Sequence, residues 1–189
     1  EWGALAGAGF AFAVVFRAAD AIARLAAAGK VDVAAQVALV NSGVAVAVPA
    51  GAARPDISGE AELRQAVLEA PRIAYSTGPS GVALLALFQR WGIADQLKDR
   101  LLQAPPGVPV GSLLARGEAA LGFQQLSELI GLAGIELLGP LPEAVQINTV
   151  FSAAPCTAST QPGAVRALLD FLASSQCDPA KRRHGMTPA

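Results

Sequence analysis

A single histidine, His184, and two cysteines, Cys156 and Cys177, leave this 189-residue sequence little with which to hold a transition metal. The cysteines have no metal-ligand spacing. They read either as one disulfide or as two free thiols, since sequence alone sets no distance between them. HExxH, P-loop and GxGxxG motifs are all absent, and Ser80 sits in Gly78-Pro79-Ser80-Gly81, not in a GxSxG nucleophile elbow. The acids are scattered: Glu60 and Glu62 read as helix-start charge, and Asp95 and Asp99 as a helical surface pair. Without an activated nucleophile or a poised acid–base pair, the sequence predicts no enzyme and implies no cofactor. The formal net charge of −1 leaves no electrostatic footprint for nucleic acid, and Lys181-Arg182-Arg183 reads as a solvated helix end. No apolar run reaches the roughly 18–20 residues of a membrane span, so direct membrane insertion is not expected. Ala4 to Phe16 is apolar but short and lacks a basic leader, so it does not read as a signal peptide. The sequence opens on Glu1, which reads as the result of processing, cloning or truncation.

What the chain does have is aliphatic. Hydrophobic residues make up 53% of it and aromatics only 5%, so the core must be built from Ala, Val, Leu and Ile. Strand-like and helix-like stretches alternate almost throughout, the pattern of parallel or mixed sheets covered by helices. Phe10 to Phe16 reads as a strand, and Arg17 to Gly29 as a helix stopped by glycine. Val37 to Val48 reads as two β-rich runs around Asn41-Ser42-Gly43. Ser58 is placed as the cap of a helix, followed by a strand over Ile73 to Ser76 and a helix over Val82 to Trp91. Ile93 to Leu102 reads as helix, Ser112 to Gly117 as one or two helical turns, and Ala119 to Phe123 as strand. Ile135 to Leu138 and Val145 to Ala158 read as strands, with helices over Pro162 to Ala173 and Pro179 to His184.

The stretch with the most chemical content is Ser76-Thr77-Gly78-Pro79-Ser80-Gly81. A strand that empties through small hydroxyl residues into a helix N-terminus offers free N–H groups, a favourable dipole and hydroxyls to an anion. The alternative is an ordinary turn with Ser80 as the N-cap. In α/β sheets, ligands sit at the carboxyl ends of strands, which marks Phe16-Arg17, Ser76 to Gly81 and Gln124-Gln125. Gln124 and Gln125 read equally as a polar helix entry, and Arg17 as a solvated first-turn arginine.

Five segments carry a resemblance: AVVFRAADAIARLAAAGKV (Ala13 to Val31), VNSGVAVAVPAGAARPDIS (Val40 to Ser58), IAYSTGPSG (Ile73 to Gly81), RGEAALGFQQLSEL (Arg116 to Leu129) and PGAVRALLDFLAS (Pro162 to Ser174). In this order they resemble the molybdate-binding type of extracellular solute-binding protein, with the type II periplasmic-binding-protein fold. The resemblance implies two α/β lobes joined by two crossover strands, Val40 to Val48 and Gln146 to Phe151. The first lobe would combine residues 1–48 and 143–189, and the second would span 49–142. It implies capture of a small anion between the lobes, an oxyanion such as molybdate or a small organic acid, and delivery to the membrane component of an ABC transporter. The implied location is periplasmic or extracellular, with cytoplasmic as the alternative. Carried over, Ser76, Thr77 and Gly78 match the second-lobe site, and Ser80 and Gly81 join them as candidates from the loop reading; Gln124 and Gln125 match cleft-facing positions; Phe16 and Arg17 match the end of a first-lobe strand. Relatives carry at least one further βαβ unit, about 30 residues, ahead of the region matching Ala13. A lobe lacking it would expose sheet edge and favour a homodimer. The same fold also serves as a ligand-sensing effector domain in regulators, which is the alternative function.

Overall fold

The computed structural model describes residues 13–189. The expected strand over Phe10 to Phe16 therefore falls partly outside the described residues; within them, β1 is Val14–Ala18. The chain forms two compact units. One holds residues 13–41 together with Val150–Arg183 and Thr187–Ala189, and the other holds Ser42–Thr149 with His184–Met186. Two strands run through both units, β2 (Val37–Pro49) and β7 (Asn148–Pro155).

In the first unit β1 lies antiparallel to β7, with Val14 opposite Pro155 and Ala18 opposite Phe151. Because side chains alternate across a strand, the two faces take different covers. Helix α1 (Ala19–Ala27) packs Ile22, Leu25 and Ala26 on Val15 and Ala154. Helix α7 (Pro162–Ala173) packs Val165 and Leu169 on Val14, Val37, Leu39 and Ala153. The glycine stop expected for α1 is present: Gly29 has φ +67°. Lys30 N–H donates to the Leu25 carbonyl and Gly29 N–H to the Ala26 carbonyl, which satisfies the last carbonyls of the helix.

The second unit is a mixed sheet in the order β2-β5-β3-β4, formed with β3 (Ile73–Tyr75), β4 (Leu101–Gln103) and β5 (Leu121–Gln125); β6 (Ile135–Pro140) also pairs with β2. β3 is parallel to both β4 and β5, while β2 runs antiparallel to β5. The period of two is sharp. Val44, Val46, Val48, Ile73, Tyr75, Leu121 and Phe123 face a core completed by Leu63, Leu84 and Phe88. Ala45, Ala47 and Ala74 face the opposite way, toward Val110, Leu113 and Leu114. That second face is built of small residues so that helix α5 (Val110–Ala115) can approach closely. A Cβ added at Gly122 would lie 2.7 Å from Leu114 Cδ1 and 2.8 Å from Val110 Cγ1.

Several boundaries differ from the sequence reading. β2 is one 13-residue strand, not two runs around a turn, because Asn41-Ser42-Gly43 is held extended by partners on neighbouring strands. The helix expected over Ile93 to Leu102 is a single α turn, Ala94–Leu97, then a 3-10 turn and β4. Arg100 explains the change: its guanidinium donates to the Leu68 and Ala70 carbonyls, both at 2.8 Å, which pulls the chain into the sheet. Helix α2 (Glu60–Glu69) is capped by Gly59, while Ser58 N–H is turned to Asp56 Oδ1 at 2.8 Å.

Candidate functional site

The Ser76–Gly81 loop leaves the carboxyl end of β3 and enters α3 (Pro79–Arg90). The helix starts three residues earlier than Val82. Pro79 takes the first helical position, where its fixed φ suits the helix and its missing N–H costs nothing, and Gly78 is the N-cap. Ser80 is not the cap. It lies in the first turn with its side chain buried, and its hydroxyl pairs with Ser76 Oγ at 2.8 Å. Gly81 and Val82 N–H donate to the Gly78 carbonyl at 3.0 and 3.3 Å. The N–H groups of Thr77, Gly78 and Ser80 have no hydrogen-bond acceptor among the described residues. Three donors and a hydroxyl pair thus surround one helix N-terminus, where the dipole favours negative charge. Thr77 is exposed and Ser76 and Gly78 are half-buried, so the loop is reachable from solvent.

Gly81 holds this arrangement together. A Cβ there would overlap the Ser76 carbonyl oxygen and lie 2.9 Å from its carbonyl carbon and 3.1 Å from Tyr75 Cδ2. Next to it, Val82 is 69% exposed, an apolar side chain beside a polar seat.

Gln124 and Gln125 end β5, which is parallel to β3, so they share the carboxyl edge of the sheet with the loop. Both are buried, and both amides are committed to the protein. Gln124 Oε1 accepts from Val110 N–H at 2.8 Å and Nε2 donates to Glu128, so this side chain satisfies the start of α5. Gln125 is oriented so that its nitrogen donates to the Ser42 and Gly43 carbonyls at 3.0 and 3.2 Å and its oxygen accepts from Thr149 Oγ1 at 2.9 Å, the orientation that satisfies both ends of the amide. Phe16 and Arg17 lie in the first unit on opposite faces of β1, in register with Ala153 and Ser152; Phe16 is half exposed. The structure therefore brings Ser76, Thr77, Gly78, Ser80 and Gly81 together, and sets Gln124 and Gln125 in the same unit. Cys156 and Cys177 are free thiols, and burial raises the Cys156 thiol above its ordinary pKa. Among the described residues, no helix is long and apolar enough to cross a membrane.

Burial also raises the Glu128 carboxyl above its ordinary pKa, opposed in part by the hydrogen bond from Gln124. A carboxyl held above its unfolded value favours the folded state while protonated. That contribution is complete below the unfolded value and is lost as pH rises through the folded one. Glu128→Gln is therefore expected to match the native protein in acid and to exceed it at neutral pH in urea unfolding. The margin is small because much of the residue faces solvent. A deficit at neutral pH would mean that the charged form is the stabilising one.

A family model described as bacterial extracellular solute-binding protein matches residues 4–187. The chain belongs to this family. Among its relatives is an aconitate isomerase from Pseudomonas sp, 40% identical over 178 residues, which cover 93% of this chain and 67% of the relative. The solved structure of the Azotobacter vinelandii periplasmic molybdate-binding protein matches with a TM-score of 0.75 at 20% identity, covering 97% of this chain and 81% of that one. The substrate-binding domain of a molybdenum ABC transporter protein from Clostridium difficile matches with a TM-score of 0.74 at 17% identity, covering 97% and 80%. At these identities the two structures speak to the fold alone, which is that of type II periplasmic binding proteins.

Proposed function

We propose that this solute-binding protein captures a small organic-acid anion through the Ser76–Gly81 loop. The observation that carries the reading is the set of N–H groups on Thr77, Gly78 and Ser80 that have no acceptor among the described residues, beside the Ser76–Ser80 hydroxyl pair. Such dipoles are aimed at a negative charge and act strongly on it once water is excluded. The similarity to an aconitate isomerase favours a small carboxylic acid over an inorganic oxyanion. Delivery of the captured acid to an ABC transporter outside the cytoplasmic membrane completes the reading.

Thermal shift against aconitate, citrate and smaller carboxylates, beside molybdate, tungstate, sulfate and phosphate, tests it. A ligand that binds only the folded state raises the melting temperature by mass action. A carboxylate is expected to do so, and a response to oxyanions alone would overturn the organic-acid assignment. Ser76→Ala with Thr77→Ala is expected to weaken binding by about 1.5–3 kcal/mol for each lost bond to the charged ligand, roughly tenfold to hundredfold each. The variant still melts cooperatively, a few degrees low, because the Ser80 hydroxyl loses its partner. Unchanged affinity in that variant would remove the loop from the site.

The same relative favours a second reading, turnover of the bound acid. Moving a double bond within an unsaturated acid takes a proton from one carbon and returns it to another, with no net oxidation. Within the second unit, the carboxylate next along the carboxyl edge of β5 is Glu128. Proton NMR of cis- and trans-aconitate incubated with the protein separates the readings: interconversion marks an isomerase, and saturable binding without it marks a carrier.

A further inference from the structure

Gln125 joins the two strands that run between the units. β2 enters the second unit at Ser42, and β7 leaves it after Thr149. Ser42 is 0% and Thr149 9% exposed, and Gln125, at 3%, reaches both. Its nitrogen donates to the Ser42 and Gly43 carbonyls at 3.0 and 3.2 Å and lies 3.1 Å from Ser42 Oγ, while its oxygen accepts from Thr149 Oγ1 at 2.9 Å. The Ser42 hydroxyl in turn faces Ser127 Oγ at 3.4 Å. A second tie lies one step further into the unit. Gln146 Oε1 accepts from Val44 N–H at 3.1 Å and from Ile147 N–H at 2.8 Å, and Val44 N–H also donates to the Ile147 carbonyl at 2.9 Å. Gly43 is enclosed between these ties, since a Cβ there would sit 3.2 Å from Asn148 Oδ1. No ligand is needed to explain any of these bonds. A buried amide satisfied at both ends is hard to shift, because each broken bond strands a buried polar group, and such networks select a single register.

We propose that Gln125 is a positioning residue that clamps β2 and β7 in fixed register where they leave the second unit, so that bending during solute capture takes place outside the clamp. The affinity arm of this inference rests on the solute-capture reading; the exchange arm does not. Gln125→Leu keeps the bulk and removes the bonds. Amide hydrogen exchange at Ser42–Val44 and Gln146–Thr149 is expected to speed up at least tenfold in this variant, with the rest of the second unit unchanged. Affinity for citrate or aconitate, measured well below the melting temperature, is expected to fall about tenfold. In a double-mutant cycle, Thr149→Val is expected to add little on top of Gln125→Leu, while Ser76→Ala adds its full effect. Unchanged exchange at the crossing strands would overturn the clamp. Faster exchange with unchanged affinity would reduce Gln125 to a stabilising residue and overturn the positioning role. Additivity with Thr149 and coupling to Ser76 would instead make Gln125 a ligand contact. If the native protein binds none of the acids, the solute reading fails while exchange still decides the clamp.

Discussion

Gly81→Ala is expected to destabilise the protein and to weaken anion capture, although helix propensity alone points the other way. Alanine in a helical position ordinarily gains up to about 1 kcal/mol over glycine. Gly81 is helical, but its missing Cβ is the space occupied by the Ser76 carbonyl. Either the first turn of α3 or the loop must move, and overpacking of this kind costs about 1–3 kcal/mol. For a chain of this size that lowers the melting temperature by about 2–4 °C per kcal/mol. Whichever segment moves, the N–H groups of Thr77, Gly78 and Ser80 no longer converge, and affinity is expected to fall by more than tenfold. Gly163 provides the control. It too lies in the first turn of a helix that opens on proline, α7, yet nothing lies within 4 Å of a Cβ built there. Gly163→Ala is expected to raise the melting temperature. Calorimetry on both variants decides the matter: stabilisation by Gly81→Ala with ligand binding intact would show that the loop tolerates the shift.

Phe88→Ala is expected to have the largest effect on stability. Phe88 is fully buried in the second-unit core, edge-on to Phe123 at 6.2 Å between centroids and 80° between planes, and 6.0 Å from the Trp91 ring. Truncation leaves a void lined by these two rings and by aliphatic side chains of the same core. Removing a buried phenylalanine costs about 3–5 kcal/mol, or roughly 6–20 °C at the scaling above. A loss below about 1 kcal/mol in urea unfolding would mean that the aliphatic neighbours collapse into the space.

How much of this was legible in the sequence depended on which force sets each feature. Elements whose own side chains form the core were readable: α7 ran over Pro162–Ala173 as its apolar spacing indicated. Elements set by a partner distant in sequence were not. β4 pairs with β3, and Arg100 just before it reaches the end of α2, contacts that no local pattern encodes. The loop followed the same division. That Ser76 to Gly81 forms a polar strand-to-helix entry was visible from hydroxyls and glycines. That Gly78 rather than Ser80 caps the helix was not, because the hydroxyl of the second helical residue found Ser76 instead of a backbone N–H. Gln124 and Gln125 look identical in sequence, yet strand alternation sends one amide to α5 and the other to the crossing strands.

Helix α3 also has a spectroscopic use. Its first turn carries the proposed anion seat, and its C-cap is Trp91, whose indole N–H donates to Glu60 at 2.6 Å. Twelve residues of helix separate the two ends, about 18 Å at the usual rise. Emission from Trp91 therefore reports how firmly the far end of α3 is anchored on α2, not what occupies the loop. A ligand that only fills the loop leaves that emission unchanged, whereas one that shifts the helix as a rod alters it.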